Sequence, residues 1–449
     1  MGADVAKTRL TADELARNFA DLHPPLDPNQ ARVEAARCLF CWDAPCTRAC
    51  PTGIDVPGFI RQILHGDATG AAETIFRENI LGGSCARACP TEVLCEGVCV
   101  DQALAHGPVE IARLQRFATD HAAARGLWFS EPGPDSGRRV AVVGGGPAGL
   151  ACAHELRVLG HAATIFEARD VPGGLNTMGL ANYKVTRQFA LTEVEPVARM
   201  GAEIRLESPI DAAGLAALRE EYDAVFLGVG LGSTYELGIP GEDLPGVMEA
   251  LDFIFQMHFG VLTDCEVGTR VAVIGGGNTA VDVATGAVRL GAERTTMLYR
   301  RTSDIMSAFR YEYDLAIADG VAFEWLVQPV EFLSRDGKLS GVRCRRLKLI
   351  GEGRRAELEA IPDSEFDVPC DMAIKALGQS PLSKLLTGVE GLDFVEGRVI
   401  IDPQTGATSL PGLYAGGDCI SKGAELVHAV QEGKIAARGI DRYLEESHA

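Results

Sequence analysis

Short apolar runs that stop abruptly in glycine recur along this chain and set its expected architecture. Val140 to Val143 runs into Gly144-Gly145-Gly146-Pro147-Ala148-Gly149, and a helically spaced pattern follows to Leu159. A second run, Ala163 to Phe166, ends at Glu167. The arrangement recurs 131 residues on, where Arg270 to Ile274 precedes Gly275-Gly276-Gly277-Asn278-Thr279-Ala280 and another helical pattern, with Thr295 to Tyr299 as the next strand. Leu413-Tyr414-Ala415 leads into Gly416-Gly417-Asp418, and helical spacing resumes from about Ala424. Ala224–Gly230 and Met372–Gly378 are short apolar segments ending in glycine, read as two crossings between domains. Strands alternating with helices through glycine turns predict an α/β fold with parallel sheets. The segment before Gly126 reads as helical, and FSEPGPDSG reads as a linker. The expected division is a helical domain at 1–126, a linker at 127–137, a dinucleotide domain in two parts at 138–240 and 376–449, and an inserted second one at 241–375. No internal repeat appears beyond these paired folds.

Composition narrows the class. The 449 residues are 47% hydrophobic and 23% charged, which excludes a disordered or collagen-like chain. A net charge of −20 disfavours nucleic acid as a partner. Glycine is abundant at 51 residues while aromatics make up only 6%, which suits backbone–phosphate contacts better than a β-sandwich. No apolar stretch reaches bilayer length, and the opening Met-Gly-Ala-Asp-Val-Ala carries no signal core. The expectation is a soluble, cytoplasmic protein.

Of thirteen cysteines, eight lie between Cys38 and Cys99. An odd number without a signal peptide argues for metal rather than disulfides. Cys38, Cys41, Cys46 and Cys50 form C-x2-C-x4-C-x3-C before Pro51; Cys85, Cys89, Cys95 and Cys99 form the second group, with Pro90 after Cys89. Zinc sites come as CxxC pairs a dozen or more residues apart, often with histidine, and this pattern fits two [4Fe–4S] clusters better. The other five cysteines, Cys152, Cys265, Cys344, Cys370 and Cys419, contain no CxxC pair, which disfavours a redox disulfide.

The strand–turn–helix setting gives the glycine loops chemical meaning. Gly144 permits the turn, Gly146 lets a pyrophosphate approach, and Gly149 allows close helix–strand packing. Glu167 can accept from both ribose hydroxyls of an adenosine. The second loop is followed by Arg300-Arg301 instead of an acid, suited to a 2′-phosphate or to adenine stacking. The Gly417-Asp418 turn, with Gly173-Gly174-Leu175 and the first loop, describes an FAD domain interrupted by a nicotinamide domain. The bland reading of the first loop is a glycine turn in an unrelated α/β protein.

The N-terminal cysteine pattern, the two dinucleotide folds and GLYAGGD together resemble the glutamate synthase small-subunit family, while CLFCWDAPCTRACP, CARACPTEVLCEGVC and IARLQRFATD match the dihydropyrimidine dehydrogenase pattern. They resemble still more the electron-input half of dihydropyrimidine dehydrogenase, including the bacterial NAD-dependent PreT type, from about Arg32 to Leu444. That resemblance implies one cluster on Cys38, Cys41, Cys46 and Cys99. It implies a second on Cys50, Cys89, Cys95 and Gln115, with Cys85 a non-ligand. By residue type alone Gln115 reads as a surface glutamine. The resemblance also implies FAD contacts from Gly144, Gly145, Gly146, Pro147, Ala148, Gly149, Glu167, Gly174, Leu175, Lys184, Gly417 and Asp418. Lys184 stands where animal members carry Arg. For the nicotinamide it implies Gly276, Gly277, Asn278, Thr279, Arg300 and Arg301, with Ala376 to Gly378 nearby. Asn278 replaces a frequent Asp, and Ser307 replaces a further Arg of NADPH-using members, so NADH is the expected donor, with NADPH left open.

The expected function is electron input: NADH oxidised through FAD, with electrons sent through two [4Fe–4S] clusters to an FMN/iron–sulfur partner subunit (PreA-like) that reduces uracil or thymine. No catalytic acid is required or assigned. The alternatives are a glutamate synthase small subunit, an NAD(P)H:acceptor oxidoreductase feeding ferredoxin, and a non-catalytic redox sensor or scaffold.

Overall fold

The computed structural model describes residues 5–104, 107–382, 385, 387–421 and 423–446. The reading of the first four residues as lacking a leader lies outside these. The described chain forms two compact units. One comprises residues 5–21, Met178–Tyr183 and Ser233–Ser380; the other comprises Leu22–Thr177, Lys184–Gly232 and residues 381–446.

The larger unit carries the helical segment and the first dinucleotide fold. Helices Pro28–Ala35, Val56–Leu64, Ala68–Glu78, Gly82–Ala88 and Ile111–Arg125 pack around Phe59, Ile60, Ile75, Leu114 and Ala118. Their starts follow elementary capping: Asp27 accepts from Asn29 and Gln30 ahead of Pro28, and Asp55 and Asp67 each accept from the glycine three residues on. Proline ends the helix Gly82–Ala88, because Pro90 forces Cys89 into extended backbone (φ −64°, ψ 138°).

The first dinucleotide sheet is parallel throughout. Its strand order is Leu413–Ala415, Ala224–Leu227, Arg139–Val143, Ala162–Phe166, Glu203–Arg205. The helix Pro147–Val158 covers it and is itself covered by the long helix Leu426–Glu446. A Cβ on Gly433 would lie 2.2 Å from the Ala148 carbonyl, so glycine there sets how closely the two helices approach.

The other unit repeats the plan. Its parallel sheet runs Ala322–Trp325, Arg294–Tyr299, Arg270–Ile274, Met372–Lys375, Val247–Glu249, with helix Asn278–Arg289 after the glycine loop. An antiparallel layer of Val327–Arg335, Lys338–Ile350, Glu357–Ala360 and Phe366–Pro369 leads back to Met372–Lys375. Its hairpin turns at Asp336-Gly337, both left-handed (φ 53° and 76°), the Asp-Gly signature of a tight hairpin. The first residues of the chain differ from the expected 1–126 segment. Ala6–Lys7 pairs antiparallel with Glu266–Val267, and Leu15 is buried with Phe253 and Met257 of the inserted domain. Two interleaved α/β dinucleotide folds with a helical cysteine-bearing segment are thus the architecture.

Candidate functional site

The cysteines sort into two groups in space, not by their order in the chain. Cys38, Cys41, Cys46 and Cys99 line one cavity with Leu39, Val56 and Ile60. Cys50, Cys85, Cys89, Cys95 and Gln115 line another, with Asn79, Ile54 and Val427. Cys50 and Cys99 thus each leave the run in which the spacing placed them. Among the described residues no three His, Cys, Asp or Glu side chains converge tightly enough for a single metal ion. The thiols instead ring a space, as an iron–sulfur cube needs. Phe40 (φ 49°) and Ala44 (φ 37°) are held left-handed in the loop carrying Cys38, Cys41 and Cys46, a strained conformation of the kind found at ligand-holding loops.

Four of these thiols, Cys38, Cys46, Cys89 and Cys95, ionise reluctantly without a cation. Burial pushes Cys46 up to about 11 and raises Cys38 and Cys95. Cys89 is raised first by its hydrogen bond with Cys85 and then by burial. Metal charge would stabilise the thiolates, so the donor set fits an iron–sulfur group. Gln115 is only 8% exposed, which removes its reading as a surface residue. Its Nε2 donates to the Gly82 carbonyl at 2.6 Å, leaving Oε1 as the atom to serve the cavity.

The first glycine loop draws in the other flavin candidates. Gly144 is left-handed (φ 103°), and a Cβ there would lie 2.4 Å from the Gly228 carbonyl. A Cβ on Gly149 would lie 1.9 Å from the Gly144 carbonyl, which shows how tightly helix meets strand. Gly146 is different: its nearest neighbour is the Cα of Gly174, 3.8 Å away, so the loop keeps open space there. Gly145 donates its N–H to Glu167 Oε2 at 2.7 Å, and Arg169 donates to Oε1 at 2.9 Å. The Gly145 carbonyl accepts from Gly173, bringing the 173–175 turn beside the loop. Ala148 is buried, and a Cβ on Gly417 would come within 3.0 Å of its methyl, so the Gly417-Asp418 turn joins the same place. No side chain caps the helix Pro147–Val158, which leaves backbone N–H groups for an anion. Leu175 is exposed. Lys184 lies within electrostatic reach of Glu92 and Glu425, and its charge opposes the rise that burial imposes on both.

Polar atoms missed by the sequence reading complete this cradle. Asn176 Oδ1, Thr177 Oγ1, Ser421 Oγ, His428 Nδ1 and Gln431 Oε1 are buried with no partner among the described residues, all on segments following Gly174 or Gly417. Several orphaned polar atoms around one loop cluster fit a large polar cofactor such as FAD. Burial also raises Asp418, against a hydrogen bond from Ala424. Glu432 is pushed up to about 7 by burial while accepting from the Gly417 N–H at 2.7 Å. Only their position beside the Gly173-Gly174 and Gly-Gly-Asp turns could have flagged the orphaned atoms and Glu432.

The second loop has the same backbone and different chemistry. Gly275 is left-handed (φ 146°) against the Ala376 carbonyl, and Gly277 keeps open space as Gly146 does. No side chain caps the helix Asn278–Arg289. Asn278 Oδ1 accepts from the Phe309 N–H at 3.0 Å, and Ser307 donates to the Gly276 carbonyl at 2.8 Å. These two residues hold the 303–309 segment onto the loop. Strand pairing matches Ile274 with Leu298 as it matches Val143 with Phe166, so Tyr299 occupies the register of Glu167. A Cβ on Gly276 would lie 2.3 Å from the Tyr299 ring, as one on Gly145 would lie 3.0 Å from Glu167. Arg300 is exposed; Arg301 is half-buried and donates to the Ala356 carbonyl. Thr279 and Gly378 are exposed, and Ala376 sits beside Gly275.

Comparison with known proteins agrees with this geometry. Residues 15–127 match the family described as dihydropyrimidine dehydrogenase domain II, 4Fe-4S cluster, and residues 138–433 match pyridine nucleotide-disulphide oxidoreductase. The glutamate synthase [NADPH] small chain of Escherichia coli K12 is 35% identical over 95% of this chain and 94% of its own length. The NADP(+)-dependent formate dehydrogenase subunit beta of Moorella thermoacetica is 34% identical over 90% of this chain, which spans 60% of that protein. In fold, Mycobacterium tuberculosis FprA in complex with NADPH superposes with a TM-score of 0.56 at 20% identity, covering 69% of this chain and 85% of that one. Among the described residues no helix is long and apolar enough to cross a membrane. The chain belongs to the pyridine nucleotide-disulphide oxidoreductase family, among relatives of the glutamate synthase small chain, and is an NAD(P)H-dependent flavin and iron–sulfur electron-transfer oxidoreductase.

Proposed function

We propose that this chain is the electron-input subunit of a larger assembly, with NADPH as donor, FAD at the first glycine loop and two [4Fe–4S] clusters in the thiol-lined cavities. The single observation carrying the reading is that one compact unit holds both cavities and the flavin cradle, and that Val427, just past the Gly-Gly-Asp turn, lines the second cavity. Cys50, Cys89, Cys95 and Gln115 would hold the cluster nearer the flavin, and Cys38, Cys41, Cys46 and Cys99 the other. When bound, the flavin supplies the conversion between a two-electron hydride donor and one-electron iron centres. The chain's own residues orient and bind. Gly146 and the uncapped helix present N–H groups to a pyrophosphate, Glu167 accepts from ribose hydroxyls, and the buried polar atoms near Asp418 meet the flavin's polar edge.

NADH is the expectation from Ser307; the charge at the second loop's strand end is the ground for proposing NADPH here. The Ser307 hydroxyl is engaged in holding the loop, and Tyr299 with Arg300 and Arg301 stands where the flavin loop presents a carboxylate. A carboxylate at that strand end would repel a 2′-phosphate; guanidinium groups attract one.

For the acceptor, Gln115 in the second cavity supports a dihydropyrimidine dehydrogenase type of partner, an FMN/iron–sulfur subunit reducing uracil or thymine. A second reading, glutamate formation, is supported by similarity to the E. coli small chain along nearly its whole length. The test begins with anaerobic reconstitution by iron, sulfide and FAD. NADPH should then bleach the flavin spectrum and sustain reduction of an artificial dye; a colourless, iron-free product refutes the proposal. Adding an FMN/iron–sulfur subunit with uracil, or a glutamate synthase large subunit with 2-oxoglutarate and glutamine, then separates the acceptors.

A further inference from the structure

Within the larger unit, the helix Gly82–Ala88 is tied to the flavin turn by a buried polar chain that the glycine loops do not account for. Glu193 is buried, and both of its oxygens accept backbone N–H groups at the start of that helix. Oε1 accepts from Gly83 at 2.7 Å and Oε2 from Ser84 at 3.0 Å. Oε2 also accepts from the Ser84 hydroxyl. With its one proton directed to Glu193, the fully buried Ser84 oxygen is left to accept, and it does so from Asn176 Nδ2 at 3.0 Å. This order sets the amide of Asn176, a residue only 3% exposed. Its nitrogen is engaged by Ser84, and Oδ1 is the buried atom with no partner among the described residues. The Asn176 N–H donates to the Gly173 carbonyl, so the residue belongs to the turn whose Gly174 backs onto Gly146.

We infer that Asn176 is a flavin-contacting residue, its Oδ1 accepting a hydrogen bond from the flavin half of FAD, and that Ser84, fixed by Glu193, is the positioning residue that holds its amide in that orientation. A pyrophosphate presents only acceptors, so an amide oxygen beside it pairs with an N–H or a hydroxyl instead. The ribose hydroxyls of the adenosine are met by Glu167, which leaves the ribityl hydroxyls and the ring N–H of the flavin. A buried amide oxygen needs such a donor, and one supplied by the cofactor satisfies it. The helix that leads into Cys89 thereby also sets a contact to the flavin. This inference rests on the placement of FAD at the first glycine loop.

The test uses the full chain with iron and sulfide in place and its flavin removed. It is titrated with FAD and, separately, with ADP, which carries the pyrophosphate and adenosine without the flavin. Alkaline buffer keeps Glu193, pushed up by burial to about 7, ionised and able only to accept. Asn176→Ala should weaken FAD binding about tenfold and leave ADP binding unchanged. Ser84→Ala should weaken FAD binding about threefold, and the double variant should bind no more weakly than Asn176→Ala alone, because Ser84 acts through the amide. Equal losses for FAD and ADP overturn the inference by making Asn176 a support of the loop. Unchanged FAD affinity in Asn176→Ala overturns the contact, and losses that multiply in the double variant overturn the role of Ser84. A wild-type chain that binds no FAD instead overturns the functional reading beneath it.

Discussion

The two glycine loops are one backbone put to two uses. Gly144 and Gly275 share the left-handed turn, Gly146 and Gly277 share the open space, and neither following helix has a side-chain cap. They part at three places. Gly149, pressed on the Gly144 carbonyl, corresponds to Ala280, where a methyl fits. Ala148 is buried under the Gly417 turn, whereas Thr279 is exposed. Glu167 corresponds to Tyr299, followed by Arg300 and Arg301. The first loop is roofed, tightly packed and faced by a carboxylate, as suits a cofactor that stays. The second is open at its helix start and faced by an aromatic ring and guanidinium groups, as suits a phosphorylated ligand that comes and goes.

The strongest way to break the comparison is packing. Gly149→Ala sets a Cβ 1.9 Å from the Gly144 carbonyl and should cost about 3 kcal/mol and release flavin. The mirror change, Ala280→Gly, should cost about 1 kcal/mol and leave flavin content intact. Unfolding midpoints and bound FAD measure both; equal losses would erase the distinction between the loops.

Acid should separate the two folds next. His154 lies on the first loop's helix with Trp128 packed edge-on at 5.6 Å, and Thr285 holds the corresponding position on the second. Burial first, and the Lys434 charge second, push the imidazole down to about 4 from 6.5. The unfolded chain then takes up a proton that the folded one refuses. The stability contribution is complete above pH 6.5 and is lost as pH falls toward 4, roughly 3 kcal/mol at full extent. Flavin release on acidification should therefore precede any loss of nicotinamide binding, and His154→Gln should flatten the pH dependence.

Smaller effects sharpen the comparison at the strand ends. Glu167→Ala removes the acceptor for two backbone N–H groups and for ribose, and should weaken FAD binding by about 2 kcal/mol, roughly 30-fold, by equilibrium titration of the apoprotein. Joint replacement of Arg300 and Arg301 by alanine should raise KM for NADPH about tenfold with little change for NADH. Tyr299→Glu, which copies the flavin loop's acid into the second loop, should tilt preference toward NADH. Equal effects on the two donors would point to adenine stacking instead.

Local order in the sequence already disclosed the glycine loops, their flanking strands and the C-terminal Gly-Gly-Asp turn. A turn that needs φ above zero and a helix that needs a close strand are specified by neighbouring residues, so Arg270–Ile274 appears where the pattern placed it. The Asp336-Gly337 hairpin was equally local and went unread. Residues 5–21 could not be placed by pattern, because Leu15 finds its core in helices more than two hundred positions away.

What the sequence by itself determined is the kind of chemistry: thiols enough for metal, two phosphate-binding turns, and an acid after one of them. Spacing did not decide the partnerships; the resemblance implied the cysteine sets, and only the tertiary structure brings the side chains together. It sent Cys99 to Cys38, Cys41 and Cys46, gathered Cys50 with Cys89, Cys95 and Gln115, and put Tyr299 in the register of Glu167. The physical reason is that spacing along a chain limits only near neighbours. Which side chains share a cavity is set by how helices and strands distant in sequence pack their apolar faces.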